Sequence, residues 1–140
     1  MTTKVRPRLS DPTSQDAAKE AVERFTAQLQ RGLDTYDAEL YDHDFAADVL
    51  WGSPYGETLD DVEELLDTHR VLMAAEAAPP SRFEVVRVTA PAPGVAIAHI
   101  RRRALDETGF SEMALYTLVE RDGRWWLAAA QNTPIVEPHD

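Results

Sequence analysis

The chain has 140 residues, with 14 basic and 25 acidic side chains and no cysteine. That length suits one hydrophobic core rather than two, and the missing thiols exclude disulfides, thiolate nucleophiles and cysteine-ligated zinc or iron–sulfur centres. A formal charge of −11 argues against nucleic acid and anionic membrane surfaces as partners; with no long apolar run and no secretory signal behind the basic start, the expected setting is the cytoplasm.

Residues 1–12 are expected to form a flexible tail, residues 13–136 one domain, and residues 137–140 a second tail. Asp11-Pro12-Thr13 is a helix-start signal, and Ala18, Val22, Phe25 and Leu29 then recur at alternating spacings of four and three, which predicts an amphipathic helix ending near Gly32. Residues 34–46 predict a short second helix, acidic outside, with Tyr36, Leu40 and Tyr41 packed inward. Val49 to Gly52 predicts a strand that turns through Ser53-Pro54 and Gly56. A third helix starts at Thr58 or Asp60, with acidic residues where the macrodipole favours them, and runs to about Ala78, where Pro79-Pro80 stops it. Its apolar stripe is Val62, Leu65, Leu66 and Met73, with His69 in the middle.

Four strands follow, over 81–90, 94–105, 110–121 and 124–135, separated by turn chemistry of which Asp122-Gly123 is the strongest hairpin signal. Helices first and an antiparallel meander second is an α+β order. A two-residue loop at Asp122-Gly123 pairs Arg121 with Arg124 and so places Tyr116 opposite Ala129 and Ala114 opposite Gln131. A four-residue loop at 106–109 pairs Leu105 with Phe110 and sets His99 opposite Tyr116. One face then carries Ile97, His99, Glu112, Tyr116, Leu118, Trp125, Leu127 and Gln131. The other carries Met113, Leu115 and Trp126. Both faces are largely apolar, so each needs a cover: the helices on one side, a second copy of the chain on the other.

The order of elements resembles the cone-shaped nuclear-transport-factor-2-like fold, N-terminal helices packed on a curved antiparallel sheet, the superfamily of the SnoaL-like cyclases and ketosteroid isomerases. More narrowly, "FAADVLWGSPYGE", "DTHRVLM" and above all "DGRWWLAAAQNTPI" are similar to the SgcJ/EcaC family of actinobacterial proteins. That resemblance implies a homodimer with a cavity between sheet and helices, in proteins accessory to enediyne polyketide biosynthesis. It also implies that Gln131, on the face of His99 and Tyr116, lines the pocket, while Asn132 points the other way.

The expected acid–base residues are His99, hydrogen-bonded to Tyr116, and His69, between Leu66 and Met73 on a helix capping the cavity. Trp51 and Tyr55 are suited to gripping a ring or polyene, with Leu66, Met73, Ile97, Leu118 and Gln131 completing the ligand wall. Each has a plain alternative in core packing or turn formation. Glu112 is expected to pair with Arg103 structurally. Neighbouring residues on a short helix do not share a face, so the "DHD" at 42–44 is a poor metal site, and no metal or cofactor is expected. Ketosteroid isomerases place a tyrosine on the first helix, where this chain has Val22, Phe25 and Leu29. Three functions follow: binding or shielding a hydrophobic polyene or polyketide intermediate; a cofactor-free isomerase or cyclase; a non-catalytic dimeric interaction module.

Overall fold

Asp11 sets the start of the first helix, its carboxylate accepting from the Thr13 N–H at 3.2 Å, the Thr13 hydroxyl at 2.9 Å and the Ser14 hydroxyl at 2.8 Å. A computed structural model of the chain describes residues 3–77 and 79–136, so the expected C-terminal tail at 137–140 and the expected helix end at Ala78 lie outside the described residues. Helix α1 (Gln15–Asp34) buries Ala18, Val22, Phe25 and Leu29, the stripe its spacing predicts. Helix α2 (Ala38–Tyr41) is shorter than expected. Tyr41 packs inward, but Tyr36 is exposed and sits at φ +53° in the turn before the helix.

Strand β1 (Phe45–Gly52) starts earlier than predicted, β2 (Thr58–Leu59) pairs with it, and α3 (Val62–Ala74) follows. The meander is β3 (Ser81–Ala92), β4 (Val95–Ala104), β5 (Glu112–Arg121) and β6 (Arg124–Pro134). The six strands form one sheet in the order β2-β1-β6-β5-β4-β3, antiparallel except where β1 lies parallel to β6. Helix α1 lies across β3 and β4, and α3 across β1 and β2. Among the described residues no helix is long and apolar enough to cross a membrane.

The Asp122-Gly123 turn has both residues at positive φ, +56° and +77°, and pairs Arg121 with Arg124 as expected. The pairing then slips: Leu118 faces Leu127, but Thr117 faces Ala129. Ala128 is the extra residue of a β-bulge, and beyond it every side chain of β6 is on the face opposite to the one predicted. Asn132 pairs with Ala114 on the inner face, and Gln131 pairs with Leu115 on the outer.

The β4–β5 register also differs by one. The connection is not a four-residue turn but spans 105–111, pinned by the Ser111 hydroxyl, which accepts from the Ala104 N–H at 3.1 Å, and by the Leu105 N–H donating to the Pro80 carbonyl at 3.0 Å. His99 therefore faces Leu115, not Tyr116, and Ala98 faces Tyr116. The inner face holds Ala98, Ile100, Arg102, Glu112, Ala114, Tyr116 and Leu118. Ile97, His99, Met113, Leu115 and Trp126 share the outer one.

Candidate functional site

Between α2, α3, the β1–β2 turn and the inner face of the sheet lies a cavity of ≈ 540 Å³. Three local features build its polar end. Asp37 caps α2, accepting from the Leu40 N–H at 3.0 Å, and the chain then turns so that Tyr41 and Asp42 face inward. Gly32 of α1 lets this happen, because a β-carbon there would fall 2.7 Å from the backbone N and Cα of Tyr41. Asp61 caps α3 through the Glu63 N–H at 2.8 Å, and the four-residue spacing of Leu65, His69 and Met73 puts all three on the cavity side.

There His69 Nδ1–H donates to Asp42 Oδ1 at 2.7 Å, with the side chains only 13 % and 2 % exposed. The Tyr41 ring meets the imidazole edge-on at 5.1 Å and the Trp51 ring at 5.8 Å, and Trp51 stacks on Phe45. The second oxygen of Asp42 is buried without a hydrogen-bond partner among the described residues. Burial raises the Asp42 carboxyl above the ordinary carboxylate range, opposed by the His69 hydrogen bond. The Tyr41 and Tyr116 phenols are likewise pushed up by burial, so both stay protonated donors.

On the sheet side Arg102 and Glu112 form a two-pronged ion pair, at 3.0 Å and 3.2 Å, with side chains 18 % and 12 % exposed. Arg103 was the expected partner, but the register turns it outward to Glu84 at 3.0 Å. At the floor, Asn132 Nδ2–H donates to the Gly52 carbonyl at 2.9 Å, tying β6 to β1. Tyr55 and Phe110 meet edge to face at the mouth.

Of the predicted residues, His69, Trp51, Tyr55, Met73 and Tyr116 line the cavity. His99 does not: it is exposed on the outer face, which removes the His99–Tyr116 pair. Gln131 is exposed too, and its amide donates to the Ser53 carbonyl at 3.4 Å and the Asn132 carbonyl at 3.2 Å. Ile97 follows His99 to the outer face by the same one-residue shift. Leu118 faces inward but is core, and Leu65 takes the place expected of Leu66. Arg102 and Asn132 line the cavity without having been expected there, and Asp42 stands behind His69 as its unexpected partner. Asp42 could have been found, since one helical turn from the buried Ala38 puts it on the same face. His43 is on the surface with Asp44 and Arg124.

The buried carboxylate gives a checkable sign. A folded-state pKa raised above the unfolded value means the folded chain holds that proton more tightly, so ionised Asp42 costs stability at neutral pH and the cost fades as pH falls through the folded pKa. Asp42→Asn should therefore be more stable than wild type at pH 7, with the advantage shrinking toward pH 4 in urea titrations. The His69 hydrogen bond opposes that cost, and among the more distant groups Glu39 adds to it and Arg70 lessens it. An advantage that grows on acidification would contradict the assignment.

No family model matches the sequence, and no curated protein matches it. Solved structures do. A protein of unknown function with a cystatin-like fold from Nostoc punctiforme superposes with a TM-score of 0.76 at 19 % identity, over 86 % of this chain and 79 % of that one. An NTF-2-like protein of unknown function from Shewanella oneidensis gives 0.72 at 12 % identity, over 82 % and 98 %. A protein of the DUF3225 family from Pectobacterium atrosepticum, also of unknown function, gives 0.66 at 19 % identity, over 91 % and 99 %.

Proposed function

The chain has the nuclear-transport-factor-2-like α+β fold, and on that frame we propose that it is a cytoplasmic homodimer that binds a hydrophobic, oxygen-bearing small molecule of polyketide type, as the SgcJ/EcaC-like phrases of its sequence suggest. The observation that carries this is the cavity: its volume is in the range of small-molecule sites, and mostly apolar walls surround a few convergent polar groups. Among the described residues Arg102 supplies the guanidinium of its lining, and Glu112 takes it up in two hydrogen-bonding contacts, so that side chain is not free to receive a phosphate. The ligand is uncharged or cationic. Metabolite capture on the immobilised protein, followed by mass spectrometry and calorimetry, tests this; tight binding of coenzyme A thioesters or nucleotides would count against it.

A second reading, a cofactor-free isomerase or cyclase, is favoured by the Asp42–His69 pair. The open cavity weighs against the third, a non-catalytic module with a vestigial pocket.

The homodimer rests on the outer face, where Leu115 is 44 % exposed beside Met113 and Trp126. Light scattering should give twice the chain mass for wild type and the mass of a single, less stable chain for Leu115→Glu. A monomeric wild type would sink the dimer.

A further inference from the structure

Inside the cavity one group has a geometry that ligand binding alone does not use. His69 donates through Nδ1 to a carboxylate that is 98 % shielded, the complement of its 2 % exposure. That bond fixes the tautomer and the ring plane, and leaves Nε2 bare as the atom available to the cavity. Asp42 Oδ2, buried and unpartnered among the described residues, concentrates the negative charge behind the imidazole. A carboxylate placed so orients the ring and stabilises the imidazolium formed when a proton is taken up in the reaction. Tyr41 and Tyr116 line the same space, near enough that Tyr41 helps burial to push the Tyr116 phenol up. Among the described residues neither phenol hydroxyl has a hydrogen-bond partner.

We propose that His69 Nε2 is a general base acting on the carbon next to a carbonyl of the bound ligand, with Asp42 as its positioning residue and the Tyr41 and Tyr116 hydroxyls as donors to the carbonyl oxygen. This rests on the ligand-binding reading of the cavity and names its substrate class: an enolisable ketone or an unsaturated ketone on an apolar frame. In the step, the C–H bond breaks and its proton passes to Nε2. The pair left behind forms the carbon–carbon double bond of an enolate while the carbonyl π pair moves onto oxygen, where the two O–H groups hold it. The imidazolium then returns the proton to the same carbon or to one further along a conjugated chain, shifting a double bond. Nothing is consumed and no co-reactant is needed. Arg102 and Glu112 share the cavity but neutralise each other, so this pair adds little net charge beside the developing enolate.

The probe is 2-tetralone, an apolar enolisable ketone. Its occupancy is followed by saturation-transfer NMR and its α-proton exchange in D2O by one-dimensional NMR. Wild type should exchange the probe about 100-fold faster than His69→Gln at equal occupancy, in the range of general-base catalysis. Asp42→Asn should lose at least about tenfold and move the pH profile, a change that a packing role for Asp42 would not produce. Tyr41→Phe and Tyr116→Phe should slow exchange without shifting that profile. Probe bound with wild type no faster than His69→Gln overturns the base and leaves the binding reading standing. Probe excluded from wild type overturns both. If His69→Gln does not fold, the ring itself decides: nitrogen-15 NMR of wild type should show Nδ1 protonated and Nε2 bare at neutral pH, and the opposite tautomer overturns the proposal.

Discussion

Phe25→Ala is expected to remove about 3–5 kcal/mol of stability, the cost of emptying a large aromatic site that cannot fully collapse. The ring is only 5 % exposed. It stacks on Phe45 with centroids 5.9 Å apart and meets Tyr116 edge-on at 5.8 Å. It therefore joins α1, β1 and β5 at one point, and these elements are held too far apart by their own backbones to close over the void. Tyr116 loses the surface that orients its ring, so the hydroxyl at the cavity wall loosens as well, and ligand affinity should fall along with stability. Urea denaturation at constant m-value is the measurement; a loss under about 1 kcal/mol would mean that Phe25 is not the keystone of this cluster.

Gly32→Val should cost about 3 kcal/mol, at the upper end of what overpacking does, and should damage the site more than the fold. The new side chain would collide with the backbone of Tyr41, where a β-carbon alone would come within 2.7 Å, and backbone cannot swing aside as a side-chain tip can. Helix α2 must move out, carrying Tyr41 and Asp42 away from His69. Gly32→Ala, despite a helix-propensity gain of about 1 kcal/mol, should still be destabilised. Gly52 supplies the contrast: the three atoms nearest a β-carbon there all belong to the amide end of the exposed Gln131, which can rotate away, so Gly52→Ala should be milder. Equal losses at the two glycines would refute this account of why Gly32 is needed.

These two positions also show what the sequence made legible. The stripe of α1, the Asp-Gly hairpin and the α+β order follow from local chemistry, and each is in place; α3, however, ends at Ala74, with Glu76 at positive φ, before the prolines expected to stop it. The cone fold follows from the resemblance. The face assignments failed because they depend on parity. Ala128 carries no bulge signal of its own, and the pinning of the 105–111 connection by Ser111 and Pro80 depends on groups far apart in sequence. One extra residue in β6 exchanges Gln131 for Asn132; one in the β4–β5 register sends His99 and Ile97 outside and brings Arg102 in. His69 survived because helical spacing is immune to those errors. Asp42 is not legible as a pocket group from its neighbours His43 and Asp44, because the partner that gives it a role is 27 residues away.

The parallel pairing of β1 with β6 reaches beyond the site. The first and last strands in chain order are neighbours in the interior of the sheet, joined at the cavity floor by the Asn132–Gly52 hydrogen bond. On a ribosome, β1 and the Tyr41–Asp42 corner emerge long before the strand that must stand beside them. Until β6 arrives, β1 and β2 have only each other and the helices, and β5 exposes an unpaired edge. Closing so long a loop is slow, and the unfilled slot is open to strands of other chains. Folding of this domain should therefore wait for β6 to emerge, and a nascent chain stalled before Arg124 should be a substrate for chaperones rather than a partly working binder.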